Sequence, residues 1–277
     1  MNKGALQHSV TNYYNDVAQR YYKDFFANAG EYPPLLFRQM HILQMLDVEG
    51  KENKSVLDAG CGTGDLLKEL FSGGFGRLEG IDISDSMVSI ASENCKEGIG
   101  KGKIRIQAGS VLALPFADSS FDIVVCSGLV EYLSDDEEWV KEVKRVLKKD
   151  GILVVNVTNK IAVRRWTLGP VVKLKKLSVL RSIASFIKSK VLRKGQLNHF
   201  PFEIRTHVPD SFDSFLRMRG FEKVEHRYFD FSILPYPLDT VFNKQVIAKR
   251  KKMETTAYKD YKWNGTGYIV KVKLLNK

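Results

Sequence analysis

The segment Val56-Leu57-Asp58-Ala59-Gly60-Cys61-Gly62-Thr63-Gly64 constrains this chain more than any other. A short apolar run ends on an acid, passes through alternating glycines and enters a helical pattern at Asp65. Glycines so placed let the backbone turn tightly between strand and helix, and they carry no Cβ to hold a ligand away from the peptide groups. The segment therefore reads as the strand-turn-helix start of a parallel sheet, with a binding site built into the turn.

The surrounding pattern repeats that unit. Two helical stretches, 10–28 and 34–47, come first, the second opened by Pro33-Pro34. Strands at 55–59, 78–83, 104–108, 121–127 and 152–157 then alternate with helices at 65–71, 85–95 and 137–148. Strand-helix-strand units of this length demand right-handed crossovers. After Asn159 the rhythm breaks; a helix near 209–219, a strand near 221–229 and a last strand at 267–274 resume it. Residues 230–264, with Pro235 and Pro237 and little periodicity, read as a second insert. The expected organisation is a helical cap (1–50), a cofactor-binding core (51–160), a basic insert (161–208) and a C-terminal return to the core (209–277). The expected fold is α/β, a doubly wound, mostly parallel sheet of seven strands with an inserted substrate lobe.

Glycine spacing separates the candidate cofactors. A dinucleotide fingerprint needs G-x-G-x-x-G, and counting from Gly60 its last place falls on Asp65, from Gly62 on Leu67. Asp58, just before the turn, would repel a pyrophosphate but can orient an ammonium-bearing ligand. Asp82 ends the next strand about 20 residues on, the place from which a carboxylate accepts ribose hydroxyls.

This arrangement resembles the class I S-adenosylmethionine-dependent methyltransferases, and the resemblance continues through Leu114-Pro115-Phe116 and Ser120-Phe121-Asp122-Ile123-Val124-Val125. It is strongest toward the type 11 branch, which includes ubiquinone and menaquinone biosynthesis methyltransferases, and it covers residues 10–159 well and the last strand loosely. The resemblance implies a Rossmann-like methyltransferase fold and S-adenosylmethionine as cofactor. By position, Asp58, Gly60, Gly62 and Gly64 would wrap its methionine part, Asp82 its ribose and Ile83 its adenine, with Ser110 and Val111 along the adenine edge. Many relatives carry Asp where Ser110 stands, which puts the hold on the exocyclic amine in doubt. Tyr14 to Tyr21 resembles the family's aromatic cap helix, so Tyr14 and Tyr21 would cover the cofactor; aromatic core packing fits the same spacing.

Methyl transfer from a sulfonium needs a placed nucleophile and a group to take its proton. His199 and His207 are the candidate bases, in a stretch that also holds Glu203 and Arg205, although a polar loop satisfying its own backbone fits that stretch too. Glu131 and Tyr132, after the fourth strand, are a second candidate pair. No metal-binding cluster is visible, and Cys61, Cys95 and Cys126 are too scattered for a disulfide framework or a zinc site.

The 277-residue chain is long enough for one large domain with inserts, and its 44% hydrophobic and 27% charged residues exclude wholesale disorder. No apolar run reaches the ~18 residues of a membrane span, and the first residues lack a signal core. The expected location is cytoplasmic. Net charge is +11, yet residues 161–200 hold ten Lys and Arg and no acid, so the rest of the chain is close to neutral. Within that stretch Leu177, Leu180, Ile183, Ala184, Ile187 and Val191 share one helical face, with Arg181, Lys188 and Arg193 flanking the other. Such a helix either lies in an anionic lipid interface, through residues 170–194, or packs as a lid. The expected acceptor is a small or lipid-linked molecule methylated at oxygen before nitrogen or carbon. Nucleic acid is disfavoured because the basic residues are amphipathic rather than interleaved with aromatics. An RNA methyltransferase, or a cofactor-binding protein without catalysis, stands as the alternative.

Overall fold

The computed structural model describes residues 3–24, 32–165, 201–233, 243–256 and 258–275. His199 and the amphipathic pattern at 177–193 lie outside these residues.

The seven strands form one sheet in the order β3-β2-β1-β4-β5-β7-β6. They are β1 (Ser55–Ala59), β2 (Arg77–Asp82), β3 (Ile104–Ala108), β4 (Phe121–Cys126), β5 (Leu147–Thr158), β6 (Phe221–Phe231) and β7 (Gly265–Leu274). The first five pair in parallel; β7 inserts antiparallel between β5 and β6. The helices are α1 (Lys3–Tyr22), α2 (Pro34–Met45), α3 (Asp65–Ser72), α4 (Asp85–Asn94), α5 (Lys96–Gly100), α6 (Glu137–Val146), α7 (Pro209–Met218) and α8 (Asn243–Thr256).

Parallel strands covered on both faces carry near-continuous apolar runs, and β1 and β4 show why. Val56, Ile123 and Val125 point to the face packed by Ile42, Met45 and Leu46 of α2 and Leu67 and Leu70 of α3. Leu57, Val124 and Cys126 point the other way, onto Trp139, Val140 and Val143 of α6 and Phe212 and Leu216 of α7. Both walls are fully buried, so each strand alternates between two cores rather than between core and water.

The expected doubly wound fold is what forms, with shifts at its margins. α1 begins at Lys3, seven residues earlier than its apolar pattern suggested, because its polar first turns face outward. Within the stretch 230–264, residues 243–256 form α8, which packs on β6 and buries Val246, Met253 and the carboxylate of Glu254. α8 is rich in charge and its few apolar residues make almost no helical stripe, which is why sequence periodicity passed it over.

Candidate functional site

The glycine turn after β1 is fixed to β2, since the Gly60 and Cys61 amides both donate to the Ile81 carbonyl, at 2.8 and 3.0 Å. Gly60, Gly62 and Gly64 have φ of 79°, 52° and 79°, the left-handed region that side chains disfavour. Their surroundings differ. A Cβ on Gly64 would meet Ala91 at 3.0 Å and Cys95 at 3.1 Å, so that glycine lets α4 approach. A Cβ on Gly62 would meet nothing within 4 Å, because Gly62 borders a cavity.

That cavity, of about 310 Å³, lies at the carboxyl ends of β1 to β4, the ligand edge of a doubly wound sheet. Asp58, Gly60, Gly62, Asp82, Ile83, Ser110, Val111 and Tyr21 all line it. The structure thus brings together every cofactor-site residue expected from sequence except Gly64, which is turned into the packing.

Asp82 is tied into the turn: its carboxylate accepts from the Gly62 amide and the Ser84 amide, both at 2.9 Å. Burial raises its pKa and those backbone donors oppose the rise. Asp58 is 2% exposed, and its Oδ1 has no hydrogen-bond partner. Burial first, then the charge of Asp82, pushes its pKa up to about 7, against the pull of Arg38. A buried carboxylate left without a donor is expensive unless a ligand completes it. Asp58, Asp65, Asp82 and Glu131 surround the cavity with Arg38 as the cation among them, while Lys3, at the rim, is engaged by Asp135 and Glu138. Such a wall favours a cationic ligand, and S-adenosylmethionine carries a sulfonium and an ammonium. The unpartnered Asp58 oxygen, the open backbone at Gly62 and the acid at Asp82 fit that group.

Sequence reasoning missed Arg38. It reaches the site from α2 and lies over Gly128, where a Cβ would come within 2.6 Å of its Nη1, so Gly128 is the residue that admits it. It acts on Asp58, Glu131 and Tyr21 together. Asn15 was missed as well. Its side-chain oxygen accepts from Ser84 Oγ at 2.7 Å and from the Ser86 amide at 3.2 Å, and Ser84 in turn caps α4 through the Met87 amide. One asparagine thus pins the cap helix to the element that follows Asp82.

The tyrosines of α1 both pack and cover. Tyr14 meets Tyr21 at 6.1 Å and Tyr132 at 5.5 Å, edge to face, and all three line the cavity. Phe202 closes the cluster against Tyr13 and Tyr132. Ser110 accepts from the Leu112 amide and from Gln7, so its hydroxyl is engaged by its own loop and by α1.

Of the candidate bases, His207 is not brought to the cavity. Its Nε2 is 3.1 Å from Asp136, whose other contacts are a two-pronged grip by Arg205 and a bond from the Trp139 indole. Burial alone would raise the Asp136 pKa, but His207, Arg205 and Trp139 together hold it well below the carboxylate range. The stretch ties its own ends: the Arg205 amide donates to Glu131 O and the His207 amide to Thr158 O, both at 2.9 Å. Glu131 and Tyr132 do line the cavity. Glu131 is 7% exposed with its Oε2 unpartnered, and burial raises its pKa against the field of Arg38. Among the described residues no group of side chains could hold a metal ion.

Residues 57–155 match the family described as a methyltransferase domain, of type 11. They form a class I, S-adenosylmethionine-dependent methyltransferase domain. The chain is 37% identical over 114 residues to a demethylmenaquinone methyltransferase of Bacillus velezensis, a match covering 40% of this chain and 48% of that protein. It is 28% identical over 151 residues to a ubiquinone biosynthesis O-methyltransferase of Coxiella burnetii, covering 53% and 60%. The chain therefore spans about half the length of these relatives. Its fold is shared by magnesium protoporphyrin IX methyltransferase from Synechocystis PCC 6803, solved with S-adenosylhomocysteine bound, at a TM-score of 0.60 and 18% identity over 97% of this chain and 99% of that one.

Proposed function

We propose that this chain transfers a methyl group from S-adenosylmethionine to a small or lipid-linked acceptor, at oxygen before nitrogen or carbon. The observation that carries the reading is the buried Asp58 carboxylate, unpartnered at one oxygen beside the open Gly62 backbone in an acid-walled cavity. The relatives named for menaquinone and ubiquinone biosynthesis support an acceptor of quinol type, and the Coxiella protein's name supports oxygen.

Bound in the cavity, the cofactor would supply an electrophilic methyl on a good leaving group. Asp58 would hold its ammonium, Arg38 its carboxylate and Asp82 its ribose hydroxyls, while Ile83, Ser110 and Val111 would border the base. Tyr14, Tyr21 and Tyr132, which line the cavity, would help exclude water from it. Glu131 would take the acceptor's proton, a reading supported by its burial, its place in the cavity wall and its unpartnered Oε2. Burial raises its basicity, against the pull of Arg38.

Calorimetric titration with S-adenosylmethionine, and separately with NADH, tests the cofactor. Micromolar binding of the first alone supports the reading, and labelled methyl incorporation into quinol and lipid extracts then tests catalysis. Binding of neither ligand sinks it, and binding without any methylated product leaves a cofactor-binding protein in its place.

A further inference from the structure

The cavity edge of the sheet carries a second feature that cofactor binding does not use. Three large apolar side chains stand exposed together there: Trp263 at 52%, Tyr261 at 46% and Val163 at 41%. Sheet direction fixes their place. β5 ends at Thr158 on the cavity edge, next to the Ser127–Gly128 wall after β4, and antiparallel β7 begins at Gly265 on that same edge.

The patch is held rigidly. Asn159, fully buried, donates from Nδ2 to the carbonyls of Lys262 and Gly265 at 2.6 and 2.8 Å, and the Val163 amide donates to the Trp263 carbonyl at 2.8 Å. Exposed aromatics on a pinned turn are not the by-product of a floppy loop. Residues 159–165 and 261–264 contribute Lys160, Arg164, Arg165 and Lys262, with Asp260 next to Tyr261 in sequence. Lys262 reaches Asp210 at 3.3 Å and Arg164 reaches Asp230 at 3.6 Å, which positions both cations at the rim of the patch and offsets part of their charge. The sequence that follows, 166–200, adds eight Lys and Arg and no acid.

We propose that this edge, through Tyr261, Trp263 and Val163 with Lys160 and Lys262, docks the protein on an anionic lipid bilayer with the cavity facing the membrane. Trp and Tyr rings settle at the level of lipid headgroups, where one end of the ring is apolar and the other wet, and nearby cations are drawn to anionic headgroups. An RNA surface would want several rings interleaved as stacking platforms along a groove, whereas two aromatic rings stand here on one of two adjoining segments. The proposal rests on the reading of a lipid-linked acceptor for its purpose, since such a molecule would reach the cavity without leaving the bilayer.

The test is sedimentation of the whole chain with phosphatidylglycerol vesicles and, separately, phosphatidylcholine vesicles, with S-adenosylmethionine affinity measured on each preparation. The expected result is salt-sensitive binding to phosphatidylglycerol alone. Tyr261→Ala with Trp263→Ala should weaken it about tenfold, the effect of losing part of the transfer free energy of two aromatic rings. Lys160→Glu with Lys262→Gln should reduce it to the phosphatidylcholine level, and both variants should keep wild-type cofactor affinity. No binding to phosphatidylglycerol overturns the proposal, as does binding that falls with salt but ignores the aromatic substitutions, which would assign the charge to another anionic polymer. Vesicle binding by a chain that never binds S-adenosylmethionine would sink the methyl-transfer reading and leave the docking surface standing.

Discussion

Replacing Asp58 by Asn separates the binding reading from a purely structural one, because the two predict opposite changes in stability. The Asp58 carboxyl ionises near 3.8 when exposed and near 7 in the folded protein, where burial and Asp82 disfavour its charge. Between those values the folded chain holds a proton that the unfolded chain has released. The stabilisation from that proton is complete below about pH 3.8 and is lost as pH rises through about 7. The difference between those two values corresponds to about 4 kcal/mol, so near pH 8 the ligand-free protein carries a penalty of up to that size for an ionised, half-partnered Asp58. Asp58→Asn removes the charge at nearly constant shape. Part of the gain is forfeited because Arg38 loses one of its acids, leaving an expected rise of about 1–3 kcal/mol, which is several degrees in Tm for a chain of this size.

Cofactor affinity should move the other way. Losing a charge-assisted bond to the ammonium costs about 1.5–3 kcal/mol, or roughly 10- to 150-fold in Kd near pH 7.5. In the wild type only the ionised carboxylate binds, so affinity should fall up to about tenfold per pH unit below 7 and should fall again above about 7.7–8, where an α-amino group loses its proton. The Asp58→Asn variant should lose the acid limb of that bell. The assay is calorimetry across this pH range with parallel thermal unfolding of the ligand-free protein. A variant that is less stable near pH 8 and binds S-adenosylmethionine as tightly as the wild type, with the same pH profile, would refute the assignment: Asp58 would then be a structural acid, and its unpartnered oxygen would have no ligand to explain it.

Four further substitutions divide the remaining roles. Asp82→Ala strips the acceptor from the Gly62 and Ser84 amides as well as from the ribose, so both Tm and cofactor affinity should drop, the latter by about 1–3 kcal/mol; unchanged affinity removes Asp82 from the site. Glu131→Gln should lower turnover by roughly 10²–10⁴ with little change in cofactor Kd, and a loss confined to Kd would make Glu131 a binding group rather than the base. His207→Ala should cost about 1–3 kcal/mol of stability and spare the chemistry, since His207 faces Asp136 and not the cavity; a turnover loss as large as that of Glu131→Gln would restore His207 as the proton acceptor. The depressed Asp136 carboxyl adds the matching acid signature, stability present above about pH 4 and lost as pH falls further, and Asp136→Asn should flatten that limb of the unfolding profile.

The parts of this site that were legible in the sequence are those whose function is written into the backbone. A turn needing positive φ at Gly60, Gly62 and Gly64 leaves glycine at a fixed spacing, and Asp82 stands at the end of the next strand, so both features can be read from the sequence. Arg38 obeys no such rule. It belongs to a helix that precedes the sheet in sequence, and its place is set by an empty volume at Gly128, a residue 90 positions away whose φ of 68° looks like any other turn. His207 shows how tertiary contacts bear on such a reading: near a returning segment a histidine invites a catalytic role, yet the same segment supplies Arg205, and Asp136 on another element contacts both. α8 escaped because a helix laid over a sheet edge buries few apolar residues and anchors itself with charge, His41 to Glu254 at 2.9 Å with both side chains fully buried. That pair joins α8 to α2, three residues from Arg38, so the element that sequence periodicity could not find helps seat the residue that sequence spacing could not name.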